Sequence, residues 1–266
     1  MYKIVASDLD GTLLTSDHQI LPFTQQILTQ LHQQGKQFIF ATGRHHVDVG
    51  KMRDKLGIPA YMITSNGACV HNSDNEMIFQ QYIPTDIVSQ ILELVKGDQE
   101  ILINIFRKDD WLVNRKEEKL KFGKGHFTYD FFDLNNPPVE DVVKLFFIRE
   151  DKDHEKLVIW EDKIKALLGD KVNITFSSPY CLEVMDAGVS KGYALDEIAT
   201  MLGYQLKDCI AFGDGMNDVE MLTMAGKGLV MGSAHHKVKA ALPDNDVIGS
   251  CNDQAVAHYL EDHVLD

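Results

Sequence analysis

Residues 3–13 read KIVASDLDGTL, an apolar run that ends at two aspartates, Asp8 and Asp10. The apolar residues predict a short buried strand, and Gly11 with Thr12 predicts a turn directly after it. Two carboxylates about 4 Å apart repel each other by roughly 4 kcal/mol at an effective dielectric constant near 20. A chain that places them together must offset this repulsion with positive charge, so the stretch predicts a functional site at the end of the strand.

Strands and helices alternate through the first third of the chain. Residues 22–35 form an amphipathic pattern with Pro22 in its first turn and Gly35 at its end, which predicts a helix. Apolar runs at 37–42 and 60–64 predict two more strands. This order predicts a parallel sheet with helices on its faces, in which functional residues gather at the carboxyl ends of the strands.

A second region interrupts this order. Asn66-Gly67 and a later turn signal predict a β-ribbon before residue 83, and strand patterns outnumber helix patterns from there to 187. Alternation of strand and helix resumes at 188. We therefore predict an α/β fold, with a core formed by 1–82 and 188–266 and an inserted α+β domain at 83–187.

The composition restricts the classes of partner. The net charge is −14 at pH 7, so the chain lacks the basic surface that nucleic-acid backbones require, and we expect no nucleic-acid partner. No apolar run reaches the roughly 18 residues of a membrane span, and the N-terminus lacks a signal-peptide pattern. Cys69, Cys181, Cys209 and Cys251 lie far apart, which predicts reduced core thiols and a cytoplasmic location.

Four polar clusters fall at predicted strand ends or at the mouth of the same core. They combine carboxylates, one lysine, a hydroxyl, an amide and glycine-flanked backbone N–H groups. Carboxylates suit a hard divalent cation such as Mg²⁺, and the other groups suit the oxygens of a phosphate. An aspartate beside both is a candidate nucleophile, and a second one two residues on is a candidate acid/base. The clusters span residues 8–12, 41–44, 190–192 and 212–218.

Three plainer interpretations of these clusters are also open. A calcium-binding loop that starts at Asp8 would need Gly at the sixth position and Glu at the twelfth, where this chain has Leu13 and Gln19. Asp-Gly pairs often only form turns, although four clusters at corresponding places argue against that interpretation here. Lys191 taken alone is typical of a solvated helix lysine.

The motifs DLDGT, TGR, an isolated lysine and GDGMND, in this order, resemble the four signature motifs of the haloacid dehalogenase-like phosphatases. The resemblance spans the whole chain. A large insertion between the second and third motifs resembles the Cof-type subgroup, which implies a Rossmann-like core and a type C2 cap domain. More narrowly, FATGRHHVDVG and KDCIAFGDGMNDVEML resemble the enterobacterial pyridoxal phosphate and sugar phosphatases of this group.

The resemblance implies a role for each motif residue. Asp8 would be the nucleophile and Asp10 the general acid/base. Asp8, the backbone carbonyl of Asp10, and Asp214 would hold Mg²⁺, with Asp218 nearby. The residues that would bind the phosphate are Leu9, Thr42, Gly43, Lys191 and Asn217.

Further residues are candidates for contact with the substrate. Each also has a structural interpretation, as a turn residue, an ion-pair partner or a packing residue. His45-His46 and His235-His236 lack the i, i+4 spacing of a metal pair, which favours surface or supporting positions. The candidate contacts are Arg44, His45, Asn66, Gly67 and Glu183.

These features predict a Mg²⁺-dependent phosphatase of small phosphorylated metabolites that acts through an aspartyl-phosphate. By the resemblance, pyridoxal 5′-phosphate and sugar phosphates are its substrates. A sugar phosphomutase or phosphotransferase could use the same intermediate, and a non-enzymatic phospho-receiver could share the sheet. A receiver that keeps its phosphate lacks a carboxylate in the position of Asp10. The sequence leaves the oligomeric state open.

Overall fold

The computed structural model describes residues 2–116, 128–149 and 151–265. The chain divides into two compact units. The core unit is formed by Met1–Phe79 and Ser190–Asp266, and the inserted unit by Gln80–Val189. The role of the inserted unit as a cap stays a prediction.

The described residues form strands and helices with the following bounds. The strands are β1 (Ile4–Ser7), β2 (Gln37–Ala41), β3 (Tyr61–Thr64), β4 (Cys69–His71), β5 (Met77–Gln80), β6 (Ile101–Arg107), β7 (Trp111–Val113), β8 (Asp130–Phe131), β9 (Val142–Arg149), β10 (Val172–Ser178), β11 (Cys181–Asp186), β12 (Cys209–Gly213), β13 (Lys227–Val230) and β14 (Asp246–Val247). The helices are α1 (Pro22–Gln33), α2 (His46–Leu56), α3 (Thr85–Val95), α4 (His154–Leu168), α5 (Lys191–Met201), α6 (Val219–Met224), α7 (His236–Ala241) and α8 (Ala255–His263).

The sheet of the core unit has the order β14-β13-β12-β1-β2-β3-β4-β5 among the described residues. From β14 to β3 all neighbouring strands are parallel. β1 lies between β12 and β2, with Ile4 opposite both Cys209 and Gln37. The carboxyl ends of these three strands therefore meet at one edge, which brings the residues after Ser7, Ala41 and Gly213 together.

Apolar side chains cover both faces of this sheet. Alternate strand residues point to opposite faces, so Val5 packs in one cluster with α1, α2 and α8, and Ile4 packs in the other with α5, α6 and α7. The predicted α/β fold, a parallel sheet with helices on both faces, is confirmed. Within the ranges that the structure describes, no helix is long and apolar enough to cross a bilayer.

The inserted unit contains a second sheet with the order β10-β11-β9-β6-β7-β8. Helices α3 and α4 pack on one face of it, against residues such as Ile103 and Leu145. The α+β character follows the prediction, but β7 and β8 were not predicted. Both are short, with three and two residues, which is too few for a period-2 pattern to be recognised.

Two local features, one in each unit, differ from the sequence prediction. The sequence from 216 to 226, MNDVEMLTMAG, predicts one helix, but the structure has a 3₁₀ turn, Met216–Asp218, followed by α6. Cys181 is only half-buried, so its prediction as a core residue is wrong, whereas Cys69, Cys209 and Cys251 are buried free thiols.

Candidate active site

Asp8 directly follows the central strand of the core sheet. Its backbone N–H donates to the carbonyl of Phe212 at 3.0 Å, which extends the β1–β12 ladder by one residue and fixes the Asp8 backbone. The side chain is 9% exposed, and its Oδ1 lies 2.7 Å from Lys191 Nζ. Burial raises the pKa of Asp8, Lys191 opposes that rise, and the neighbouring carboxylates of Asp218, Asp214 and Asp10 add to it.

Lys191 is fully buried at the start of α5. Ser190 caps this helix, and its Oγ accepts a hydrogen bond from the Tyr193 N–H at 3.1 Å. The Lys191 ammonium lies 2.7 Å from Asp8 Oδ1 and 2.6 Å from Asp218 Oδ1. Burial disfavours this charge, but Asp218 and Asp8 together raise the pKa of Lys191. The interpretation of Lys191 as a solvated helix lysine is therefore wrong.

The loop after β12 brings two more carboxylates to the same place. Asp218 Oδ2 accepts from the backbone N–H groups of Asp214, at 3.0 Å, and Gly215, at 2.8 Å. Thr12 Oγ1 donates to Asp214 Oδ1 at 2.9 Å. Burial and the neighbouring Asp218 raise the pKa of Asp214 to about 6. Each of Asp8, Asp214 and Asp218 offers an oxygen within 4.8 Å of the others.

Gly11 allows the first motif to turn past this cluster. Its φ of +84° lies in the left-handed region, which glycine adopts without a steric cost. A Cβ at this position would lie 2.9 Å from Asp214 Cγ, closer than such atoms approach one another. The glycine is therefore required by both the backbone and the neighbouring carboxylate.

Asp10 directs its carboxylate to a different cation from the one that pairs with Asp8. Arg44 Nε lies 2.6 Å from Oδ2 of Asp10, and Arg44 Nη2 lies 2.6 Å from Oδ1. His18 Nδ1 lies 3.0 Å from the same Oδ1. Burial works against ionisation of Asp10, but Arg44 and His18 lower its pKa. A carboxylate only accepts hydrogen bonds, so His18 Nδ1 is the donor in this contact, and the same Nδ1 lies 3.2 Å from Arg44 Nη2.

The end of β2 contributes the second motif. Thr42 N–H donates to Ile63 O at 2.8 Å, and Thr42 Oγ1 accepts from the Arg44 N–H at 3.2 Å, so half-buried Gly43 lies in a fixed turn. The carbonyl of Thr42 accepts from Asn66 N–H at 3.0 Å. Asn66 Oδ1 in turn accepts from Asn217 Nδ2 at 3.0 Å, so the second and fourth motifs are joined through Asn66.

Two further predicted residues lie close to this network. Leu9 is fully buried between the two aspartates, and its carbonyl accepts from the Leu14 N–H at 2.8 Å. Gly67 has a φ of +108°, and a Cβ there would lie 2.7 Å from the carbonyl carbon of Ser190. The turn after β3 therefore contacts the residue that caps the helix of Lys191.

A haloacid dehalogenase-like hydrolase family model matches residues 5–260. This chain belongs to the haloacid dehalogenase-like hydrolases. The match covers both units and all four motifs. The recognition of this family from the motifs is confirmed.

Relatives of this hydrolase are phosphatases by name. It is 40% identical over 271 residues to an HMP-PP phosphatase of Cronobacter sakazakii, with 100% of this chain and 97% of the relative covered. It is 37% identical over 268 residues to an HMP-PP phosphatase of Escherichia coli, with 100% and 97% covered. Family and relatives together make it a phosphatase.

The fold of this hydrolase also matches solved structures. A haloacid dehalogenase-like hydrolase from B. subtilis superimposes with a TM-score of 0.87 at 24% identity, over 99% of this chain and 100% of the other. This likeness supports the fold alone, because the sequence identity is too low to compare substrates.

Two candidate contact residues of this hydrolase have structural partners. His45 is 2% exposed and caps α2, with its Nδ1 accepting from the Val47 N–H at 3.3 Å, so of the surface or supporting positions predicted for it, His45 occupies a supporting one. Glu183 lies in the inserted unit, where its Oε1 is 2.9 Å from Lys144 Nζ and both side chains are buried. Contact of these residues with a substrate stays a prediction.

His18 and Asp48 belong to the site of this hydrolase but were not predicted from its sequence. Asp48 Oδ2 accepts from Arg44 Nη1 at 2.9 Å. The i, i+4 spacing of Arg44 and Asp48 is a signal that could have identified this pair. His18 offers no such signal, because its contact with Asp10 depends on how the intervening loop folds back.

Proposed function

We propose that this phosphatase hydrolyses phosphate monoesters of small metabolites with Mg²⁺ as its cofactor and Asp8 as its nucleophile. The observation that carries the proposal is the position of Asp8. Its carboxylate is buried at a strand end, 2.7 Å from a buried lysine and within 4.8 Å of two further carboxylates. Three carboxylates around one ammonium leave net negative charge, which a divalent cation would balance.

The donor set fits Mg²⁺. Hard carboxylate oxygens are the ligands that Mg²⁺ takes from proteins, usually one or two of them together with water and phosphate oxygens. Asp8 and Asp214 would hold the ion together with the backbone carbonyl of Asp10. Asp218 would support the ion and Lys191 from the neighbouring turn. Bound there, Mg²⁺ would neutralise charge on the phosphoryl group of the substrate.

The residues of the chain divide the reaction between them. An oxygen of Asp8 attacks phosphorus and forms an aspartyl-phosphate, while Asp10 gives a proton to the departing oxygen. Asp10 then takes a proton from the water that hydrolyses the intermediate. Lys191 holds the reactive carboxylate and a phosphate oxygen in place. The remaining phosphate contacts come from Leu9, Thr42, Gly43 and Asn217.

The choice of substrate depends on residues at the end of the second motif and outside the motifs. The relatives are named for HMP-PP, and the resemblance in the motifs implies pyridoxal 5′-phosphate and sugar phosphates. All are small phosphorylated metabolites. The residues that would distinguish among them are Arg44, at the end of the second motif, together with His45, Asn66, Gly67 and Glu183.

A panel of substrates tests the class, the cofactor and the substrate together. The protein is incubated with HMP-PP, pyridoxal 5′-phosphate and hexose phosphates, with Mg²⁺ or with EDTA, and released phosphate is measured. We expect release from at least one compound, and its loss in EDTA. Isomer formation from a sugar phosphate without phosphate release would instead favour a phosphomutase.

The nucleophile is tested by Asp8→Asn. The amide keeps the shape of the side chain but is a far weaker nucleophile, so we expect activity to fall by at least about 10³-fold. Asp262→Asn, a change at an exposed position of α8, should leave turnover unchanged. Substantial turnover by a pure, folded Asp8→Asn protein would exclude Asp8 as the nucleophile.

A further inference from the structure

The carboxylate of Asp10 is held by two side chains from different parts of the core unit. Arg44 Nε and Nη2 each lie 2.6 Å from a different oxygen of Asp10, a bidentate pair that fixes the plane of the carboxylate. His18 Nδ1 adds a third donor, 3.0 Å from Oδ1. Oδ1 therefore accepts from two donors and Oδ2 from one among these three contacts.

Arg44 is itself fixed on its remaining sides. Its Nη1 donates to Asp48 Oδ2 at 2.9 Å, so the guanidinium is held between two carboxylates. Its backbone N–H donates to Thr42 Oγ1 at 3.2 Å, and its carbonyl accepts from the Ser65 N–H at 2.9 Å. The backbone of Arg44 is therefore fixed by the ends of β2 and β3, and its guanidinium by Asp48 of α2 as well as by Asp10.

His18 reaches Asp10 from a strained turn. Its φ is +57°, in the left-handed region that residues other than glycine rarely adopt. The turn is closed by His18 N–H to Thr15 O at 2.8 Å and by Thr15 N–H to Gln19 O at 3.1 Å. Ser16 N–H donates to Asn252 Oδ1 at 2.9 Å, which fastens the loop to a distant part of the core unit. Such strain persists only where the surroundings hold it.

The side chains of Asp10 and His18 are exposed, which suits a role in the reaction better than a role in stabilising the fold. The side chain of Asp10 is 43% exposed and that of His18 is 65% exposed, whereas the side chain of Asp8 is 9% exposed. Exposed ion pairs add little to stability, typically about 0–1 kcal/mol. Three donors on one accessible carboxylate fix its orientation more than they stabilise the fold.

The inference rests on the proposed function, because it concerns the proton transfer assigned to Asp10. We propose that His18 and Arg44 are positioning residues that hold the Asp10 carboxyl group toward the departing oxygen of the ester. The bond from Asp8 to phosphorus forms, the bond from phosphorus to the leaving oxygen breaks, and that oxygen keeps the electron pair and takes the proton of Asp10. The aspartate later regains a proton from the attacking water.

The unequal sharing of donors assigns the two oxygens of Asp10. A protonated carboxyl oxygen donates its O–H and keeps a reduced capacity to accept, so the oxygen with fewer N–H contacts has more room for the proton. Oδ2 has a single such contact, from Arg44 Nε, so we assign the proton to Oδ2. His18 Nδ1 and Arg44 Nη2 then keep Oδ1 in place.

Two substitutions of His18 separate its side chain from its backbone. His18→Asn keeps an N–H donor near the position of Nδ1, and asparagine tolerates the left-handed region. His18→Gly also tolerates this backbone but has no donor. Because both variants keep the turn, a difference between them reports the hydrogen bond to Asp10.

The readout is kcat/KM for two esters that differ in their need for a proton. Glycerol phosphate has a basic leaving oxygen that must be protonated, whereas the leaving group of p-nitrophenyl phosphate departs as a stable anion. For His18→Gly we expect about a tenfold loss with glycerol phosphate, part of the 10²–10⁴-fold that acid–base catalysis contributes. With p-nitrophenyl phosphate the loss should be under about twofold, and His18→Asn should restore most activity.

Arg44→Lys is a second test that leaves the His18 turn intact. Lysine keeps the charge but cannot form the bidentate pair, so the same preferential loss with glycerol phosphate is expected. Arg107→Lys is the matched control, because Arg107 makes a similar bidentate pair with Asp110, at 2.9 Å for both bonds, in the inserted unit. Circular dichroism melting curves check that each variant is folded.

The outcomes distinguish this inference from the proposed function. If the wild-type protein releases phosphate neither from these esters nor from any compound of the Mg²⁺ panel, the proposed function fails and the positioning role falls with it. If the wild type hydrolyses both and Asp8→Asn hydrolyses neither, the proposed function stands. In that case equal losses for the two esters, or no loss in folded His18→Gly and Arg44→Lys, would overturn the positioning role alone.

Discussion

Asp8 and Asp10 lie two residues apart but in different electrostatic surroundings. Asp8 is nearly buried and pairs with Lys191, whereas Asp10 is accessible and pairs with Arg44 and His18. The repulsion between the two carboxylates is therefore offset by separate cations from the protein itself. A nucleophile needs a fixed position and an acid/base needs access to solvent protons, so the burial of Asp8 and the exposure of Asp10 suit the roles proposed for them. The pKa shifts of the protein alone, upward for Asp8 and downward for Asp10, run the other way.

His71 should make the stability of the core unit depend on pH. It is 3% exposed, its Nδ1 has no hydrogen-bond partner among the described residues, and its ring stacks on His46 at 4.6 Å. Burial, followed by the nearby His46 and Arg53, lowers the pKa of His71 from 6.5 to about 4. The unfolded chain therefore takes up a proton at a higher pH than the folded one. Stability is complete above about pH 6.5 and falls as the pH drops toward 4.

Urea unfolding of the wild type and of His71→Phe between pH 7 and 4.5 tests this dependence. Phenylalanine keeps an aromatic ring but cannot take up a proton. The free energy of unfolding of the wild type should fall with decreasing pH more steeply than that of the variant, by up to about 1.4 kcal/mol per pH unit. His32→Gln, at an exposed position in the last turn of α1, should keep the wild-type slope. Equal slopes for wild type and His71→Phe would contradict the prediction.

At the scale of elements, the turn between β3 and β4 supports the start of α5. Gly67 has a φ of +108°, and a Cβ there would lie 2.7 Å from the carbonyl carbon of Ser190 and 3.3 Å from the N of Lys191. Gly67→Ala should therefore combine backbone strain with displacement of the helix that carries Lys191. We expect a loss of stability above about 1 kcal/mol together with a loss of phosphatase activity.

Gly57→Ala is the matched control for this substitution. Gly57 also has a positive φ, +72°, but a Cβ there would have no atom within 4 Å among those described. It should lose about 1 kcal/mol of stability from strain alone, with turnover unchanged. Thermal melts and phosphate-release rates of both variants provide the comparison. Equal changes of stability and activity in the two variants would show that the contact with Ser190 contributes to neither.

The strand ends around the site show which parts of the site could be predicted from the sequence. Parallel strands bring their carboxyl ends to one edge, so the meeting of Asp8, Thr42 and Asp214 followed from strand order alone. The pairing of each carboxylate with its cation did not follow. Arg44 could reach either aspartate, and the position of His18 depends on hydrogen bonds that close a turn and fasten it to Asn252.

At the scale of the whole molecule, the two units have separate hydrophobic cores. The core sheet is packed on both faces, whereas the sheet of the inserted unit has α3 and α4 on one face. Polar groups are nevertheless buried in the inserted unit, including Lys144 at 2% and Glu183 at 3% exposure. Both tryptophans of the chain, Trp111 and Trp160, also lie in this unit, so tryptophan fluorescence reports its unfolding separately from that of the core.

The contribution of the buried pair of Lys144 and Glu183 to stability should therefore be measurable by tryptophan fluorescence. Lys144 Nζ lies 2.9 Å from Glu183 Oε1 and 4.9 Å from the ring centres of Phe106 and Phe146. Lys144→Met leaves a buried carboxylate without its cation. We expect the urea unfolding transition of the inserted unit to lose about 3–5 kcal/mol.

Removal of both charges distinguishes a need for neutrality from a need for the ion pair itself. The double variant Lys144→Met with Glu183→Leu should recover most of that loss, because apolar side chains carry no desolvation cost. Lys165→Met, which breaks a surface pair with Glu161, should cost less than about 1 kcal/mol. If the double variant is as unstable as Lys144→Met, the pair holds the sheet by its geometry. If Lys144→Met costs no more than Lys165→Met, the charge of Lys144 contributes nothing to the stability of the inserted unit.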